Sequence, residues 1–219
     1  MRLSVMLQRI AFAVLCCAVS PPLQAQRPMS ALDSARHALD RLAYGAAPGE
    51  IGAIARDGVL KWIDTQLGYD DVGDPGLEEV ERSFDVLHVS IHDMQQMLQN
   101  NQVKALRARA ASDSIQRRQL FDQLRTAQRS DRRSLQGLLA ELQSVTMVRA
   151  VESEHQLDEI LTDFWANHFN VYLNKGQDRA YFADYLQRTI RGHALGSFES
   201  LLIATARSPA MLFYLDQAE

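Results

Sequence analysis

The sequence predicts an all-α fold: a multi-helix domain with a long, partly basic helical hairpin and no β-sheet. Three observations support this. Apolar residues recur at three- and four-residue spacings through most of the chain, and no stretch shows the strict alternation of a half-buried strand. Helix-start residues (Ser30, Ser197, Ser208-Pro209) and glycine stops (Gly45, Gly58, Gly68, Gly176) fall where these apolar runs begin and end. Glycine is absent between Gly76 and Gly137, and proline between Pro75 and Pro209, so this long stretch lacks the residues that most strongly break helices.

The first 25 residues have a different pattern. Arg2 and Arg9 are basic, Ile10 to Val19 is apolar apart from its cysteines, and Leu23-Gln24-Ala25 supplies a small residue before a cut, which is the layout of a secretory signal peptide. Ten apolar residues fall short of the ~20 that span a bilayer. The expectation is a signal over residues 1–25, an exported mature chain from Gln26, and a periplasmic or extracellular location with no transmembrane segment. Cys16 and Cys17 both lie in the signal, so the mature chain has no disulfide, thiolate metal site or cysteine nucleophile. Loss of Arg2 and Arg9 leaves 21 basic residues against 27 acidic ones, a net charge of −6 that argues against nucleic-acid binding.

The elements follow in order. Ser30-Ala-Leu-Asp33 resembles a capping box opening a helix over 31–43. Pro48 suits the first turn of the next helix, which Gly58 ends. Val59 to Leu67 follows with Trp62 on its apolar side, and Asp70 to Gly76 reads as a loop. Val80, Phe84, Leu87, Ile91, Met94 and Leu98 alternate spacings of four and three, a coiled-coil-like seam, with Asn100-Asn101 a turn or kink. Residues 64–85 carry eight acids against Arg82, and residues 101–133 carry nine Lys or Arg against three Asp. The expected picture is a long helical hairpin over 76–133 with a basic outer arm, the alternative being disorder in its middle. The basic arm is a solvated helix surface, the alternative being a dock for anionic envelope polymer, lipid headgroups or an acidic partner. The apolar pattern resumes at Leu135, Leu138, Leu139, Leu142 and Val145.

The stretch Leu161 to Gly176 is the expected organising helix. Leu161, Phe164, Trp165, His168 and Tyr172 share one face by spacing, and so aromatic a face should be buried, with His168 packed inside. Asp178 then caps a helix over Ala180 to Arg191 that uses Tyr181, Tyr185, Leu186 and Ile190. Gly192 to Gly196 is a tight connection. Helices over 198–206 and from Pro209 onward close the chain. The last carries Met211 to Leu215 in an unbroken apolar run with nothing resembling a stop, so the chain is expected to be the amino-terminal part of a longer protein, 26–219 of a truncated domain.

From Val148 to Asp216 the chain resembles the bacterial family known as domain of unknown function 1800. The resemblance is carried by Arg149-Ala-Val-Glu-Ser-Glu-His-Gln-Leu157, Asp163-Phe-Trp-Ala-Asn-His-Phe-Asn-Val171, Ile190-Arg-Gly-His-Ala-Leu-Gly-Ser-Phe198 and Ser208-Pro-Ala-Met-Leu-Phe-Tyr-Leu-Asp216. Arg41-Leu-Ala-Tyr-Gly45 and Trp62-Ile-Asp-Thr-Gln-Leu67 fit the family's opening. The resemblance implies an exported helical protein whose relatives continue for about as long again, and whose activity is not established.

Three constellations could carry chemistry. Trp165, Asn167, His168, Arg191 and His193 would form one polar-aromatic patch, with Arg191 holding an anion and a histidine shuttling a proton. Asp85, His88 and His92 follow helical i, i+3, i+7 spacing and could chelate a metal, although Val89 stands where a metalloprotease helix has its Glu. Glu152-Ser-Glu-His155 has the spacing of a di-metal carboxylate motif but lacks a second copy. Phosphate loop, Gly-x-Ser-x-Gly elbow and dinucleotide fingerprint are all missing, so no cofactor is expected. Two readings follow: an envelope or extracellular assembly component with a secreted protein partner or anionic polymer, and an enzyme on such a polymer with its pocket around His168 and His193.

Overall fold

Eleven α-helices and no strand occur among the described residues of the computed structural model, which are 28–68, 74–110, 114–130 and 134–217. The expected signal, most of the Asp70–Gly76 loop and residues 131–133 of the basic run lie outside them. Residues 28–30 are irregular and exposed. Everything considered below belongs to the compact unit Ala31–Glu219.

The first three helices, α1 (Ala31–Leu42), α2 (Glu50–Asp57) and α3 (Val59–Leu67), form a small cluster around Ala35, Leu39, Ala43 and Ile54. Trp62 packs against that cluster, as its apolar position predicts. Gly58 adopts φ 103° between α2 and α3, which a side chain would strain, so the stop is backbone-encoded. Pro48 is not helical. It sits in the turn before α2, where Glu50 returns a carboxylate to the Ala47 N–H at 2.7 Å.

The long seam does not form one helix. α4 (Pro75–Glu81) starts on Asp74, whose Oδ1 accepts from Leu77 N, so Pro75 and Gly76 belong to its first turn rather than to a loop. A break with a 3₁₀ turn at Asp85–Leu87 follows, and α5 (Ile91–Ala110) begins afresh at Ser90, whose Oγ accepts from Asp93 N. Glu141 explains part of the interruption, because its carboxylate accepts from Val86 N and caps the turn from a distant helix. Local polar caps thus outcompete a seam that looked continuous by period alone. Asn100 and Asn101 run through α5 without breaking it. α5 contacts α6 (Ser114–Ser130), which in turn contacts α7 (Leu135–Glu152).

α7 supplies the main core. Leu135, Leu138, Leu139, Leu142 and Val145 are all buried, against Val86, Met94, Ala180 and Ala183. At roughly 1.5–3 kcal/mol per large apolar side chain, this ridge is a leading source of stability. α8 (Gln156–His168) follows after a break at Ser153. The rest comprises α9 (Asp178–Asp184), a π-helical turn (Tyr185–Ile190), a 3₁₀ turn (Arg191–His193), α10 (Phe198–Arg207) and α11 (Pro209–Tyr214). Tyr181, Tyr185 and Ile190 stay buried although their spacing widens from four to five, which the wider π turn accommodates. Ser197 caps α10 through Ser200 N, as expected.

The end of α11 overturns the expectation that it lacks a stop. Asp216 takes φ 57°, Gln217 N donates to Leu212 O at 2.8 Å and Asp216 N to Phe213 O at 3.2 Å. These are the two bonds of a Schellman motif, with aspartate in the position that glycine usually fills. Lys175 Nζ adds bonds to Tyr214 O and Asp216 Oδ1 at 2.5 and 2.7 Å. Met211, Phe213 and Tyr214 are half-buried against the Tyr181–Tyr185 cluster, with Phe213 stacked on Tyr181 at 5.0 Å.

Candidate functional site

α8 does not bury the face its sequence suggests. Its buried residues are Leu157, Asp158, Glu159 and Thr162, whereas Phe164 is 53% exposed and His168 is exposed too. The helix also ends at His168, so Tyr172 lies beyond it and is 58% exposed. The expectation of a buried His168 is therefore corrected. Of that face only Trp165 packs on the Tyr181–Tyr185 cluster, half-buried, while the inward side carries two carboxylates that Arg191 partly neutralises.

That ion cluster is closely built. Arg191 Nη1 lies 2.5 Å from Asp158 Oδ2 and 2.7 Å from Glu159 Oε1, and Nη2 lies 2.5 Å from Glu159 Oε2. One guanidinium against two buried carboxylates leaves an excess negative charge. Burial raises the pKa of Asp158, partly opposed by Arg191. Tyr44 lies over the same helix, its hydroxyl 3.5 Å from Glu159 O. Its pKa is pushed up to about 12, first by burial and then by Asp163 and Glu159. Arg191 is thus bound to carboxylates of its own chain rather than left open for an anion.

Two further buried polar side chains fix the start of α8. Gln66 donates to Glu154 O and accepts from Leu157 N, and Asp74 Oδ2 accepts from Glu154 N at 2.9 Å. Sequence reasoning missed both, because a lone Gln or Asp carries no periodic signal. The Glu152–His155 spacing supposed one helix, yet the break at Ser153 separates the two residues, and His155 is buried at the head of α8.

The five residues of the expected patch are divided. Trp165 and His168 meet edge-on at 5.7 Å, within a ring cluster completed by Phe164, Phe169 and Phe198. Asn167 donates to Asp163 O and Oδ1 on its own helix. Arg191 belongs to the ion cluster, and His193 Nδ1 lies 2.8 Å from Thr189 O. Asp85 sits in the 3₁₀ turn while His92 is on α5 beside Gln96, so the assumed i, i+3, i+7 helix does not exist. Among the described residues, no group of three or more His, Cys, Asp or Glu could hold a metal ion.

His88 instead faces a cleft of about 470 Å³ between α4, α7 and the π turn. Arg149 of α7 is buried there. Its Nε donates to Glu81, and its Nη1 to Gln187 Oε1 at 2.5 Å. Elsewhere, α6 presents Arg117, Arg118 and Arg125 with Phe121 along a shallow basic groove.

Residues 37–219 match the family described as protein of unknown function (DUF1800). The chain belongs to the DUF1800 family. No curated protein and no solved structure matches it. The DUF1800 match spans the Arg191 ion cluster, the cleft and the ring cluster alike. No helix among the described residues is long and apolar enough to cross a membrane.

Proposed function

We propose that this DUF1800 chain is an exported component that works by docking a secreted protein partner in the envelope or outside the cell. One observation carries the reading. Phe164, Trp165, His168, Phe169 and Phe198 form a continuous cluster with ring centroids 4.8 to 6.3 Å apart, and Phe164 and Phe198 are 53% and 54% exposed. Leu202 extends the same apolar surface one turn along α10, at 44% exposure. Trp165 and Phe169 anchor this cluster on the Tyr181–Tyr185 core, which leaves Phe164, His168 and Phe198 as its exposed rim; exposed aromatic area marks interaction surfaces, and a partner covering it gains roughly 1.5–3 kcal/mol per fully buried ring. Aromatic anchors are also the residues that dominate protein interfaces. Export rests on the leader-like residues 1–25, and the basic groove of α6 is where an anionic polymer would sit.

The test uses a double substitution, Phe164→Ser with Phe198→Ser. Wild-type protein is expected to retain a secreted partner of fixed stoichiometry on cross-linking in intact cells, and the variant to lose it while melting at or above the wild-type temperature. Retention of the same partner by a folded variant would remove this face from the function.

A further inference from the structure

We propose that the cleft between α4, α7 and the π turn binds a small organic monocarboxylate with an apolar tail. This site is separate from the aromatic face and does not depend on the docking reading. Its volume of about 470 Å³ falls in the ~300–1,000 Å³ range of small-molecule sites. Its floor is apolar, made by Val86, Leu87, Val89, Ile91 and Met94.

The polar side of the cleft keeps a donor on Arg149 that its own acceptors do not use. Arg149 bonds through Nε and Nη1 only, and its Nη2 has no partner among the described residues. Arg188 holds only Asp184, one turn back at 3.1 Å, with 78% of its side chain exposed. Arg82 likewise holds Glu79 and the Glu78 carbonyl on its own helix, at 65% exposure. Local pairs with an exposed guanidinium are weak, under ~1 kcal/mol where both partners are exposed as in Arg82–Glu79, so the guanidiniums can turn to a ligand at little cost. An acid group on Arg149 Nη2 would receive a charge-assisted bond, the stronger kind.

The charges select the ligand's valence. With Arg191 committed to Asp158 and Glu159, the lining leaves Arg82, Arg149 and Arg188 against Glu78, Glu81 and Asp184. Formal charge is balanced within the lining, Glu79 holds Arg82 from outside it, and Arg149 Nη2 is the buried residue's one unused donor among the described residues. A monoanion meets the guanidiniums with little repulsion, whereas a phosphate dianion would place a second negative charge beside Glu81 and Asp184. The apolar floor then favours a hydrocarbon tail over a bare ion.

The experiment is calorimetric titration of the full chain with hexanoate, hexylammonium and inorganic phosphate. Hexanoate is expected to bind saturably at one site, and the other two at least tenfold more weakly. Arg188→Gln, a surface change that leaves folding intact, should weaken hexanoate about tenfold, the scale of a lost bond to a charged group. Arg149→Lys, which keeps the charge but cannot hold Glu81 and Gln187 while also meeting a ligand, should do so as well. The Phe164→Ser, Phe198→Ser variant should bind hexanoate as wild type does. Absence of saturable hexanoate binding, equal affinity for phosphate, or unchanged affinity in Arg188→Gln would each overturn the assignment. Loss of binding in the double Phe variant would transfer the hexanoate site to the aromatic face and equally overturn it.

Discussion

Substituting Arg191 by Met tests the buried ion cluster directly. Asp158 and Glu159 are only 3% and 6% exposed, and among the described residues Arg191 is the cation bonded to both. Its removal strands two adjacent carboxylates away from water, and losing one partner of a buried pair costs about 3–5 kcal/mol. That is a large share of a domain stability of roughly 5–15 kcal/mol. At ~2–4 °C per kcal/mol for a domain of this size, melting at pH 7 should fall by about 6–20 °C. The pH dependence gives a second reading. In the wild type, Asp158 has a folded pKa above its ordinary 3.8, so the folded state holds more protons and stability falls as pH rises through that window. Without Arg191 the attraction that lowers this pKa is gone, and the window extends upward. The deficit of Arg191→Met should therefore be greatest at pH 7 and shrink towards pH 4. Adding Glu159→Gln should restore part of the loss by removing one stranded charge. Calorimetric melts from pH 4 to 8 measure all three effects. A variant melting within ~2 °C of wild type at pH 7 would show that the cluster contributes no net stability, and would refute the reasoning.

Asp178 offers a contrasting case: it is fully buried, neither carboxylate oxygen has a hydrogen-bond partner, and burial raises its pKa despite Lys175 nearby. Asp178→Asn should raise the melting temperature at pH 7 and leave it unchanged below pH ~3, well under the ordinary 3.8, where both states of the wild type are protonated; a lower melting temperature at pH 7 would mean the charge is stabilising. Intact-mass analysis of protein recovered from the source cell's envelope should give a chain starting near Gln26, and a retained Met1 would defeat the export proposal.

The sequence by itself determined the fold class, most helix boundaries and the α7 ridge, because apolar period, serine caps and glycine stops act over a few residues. Leu135, Leu138, Leu139, Leu142 and Val145 are buried as their spacing requires, and Ser197 caps α10. Tertiary structure decided which side of α8 faces inward. By hydrophobicity the Phe164–His168 side should win, and the arrival of Arg191 from 32 residues away offsets the cost of burying Asp158 and Glu159 instead. It also decided that the Val80–Leu98 seam breaks, since Glu141 caps the turn at Val86 from 55 residues away. The same holds for the cleft, where Arg149, Glu81 and Gln187 meet from three separate elements. Local rules cannot anticipate such pairings, because a charge's burial cost is set by which partner reaches it, and that depends on how distant helices pack.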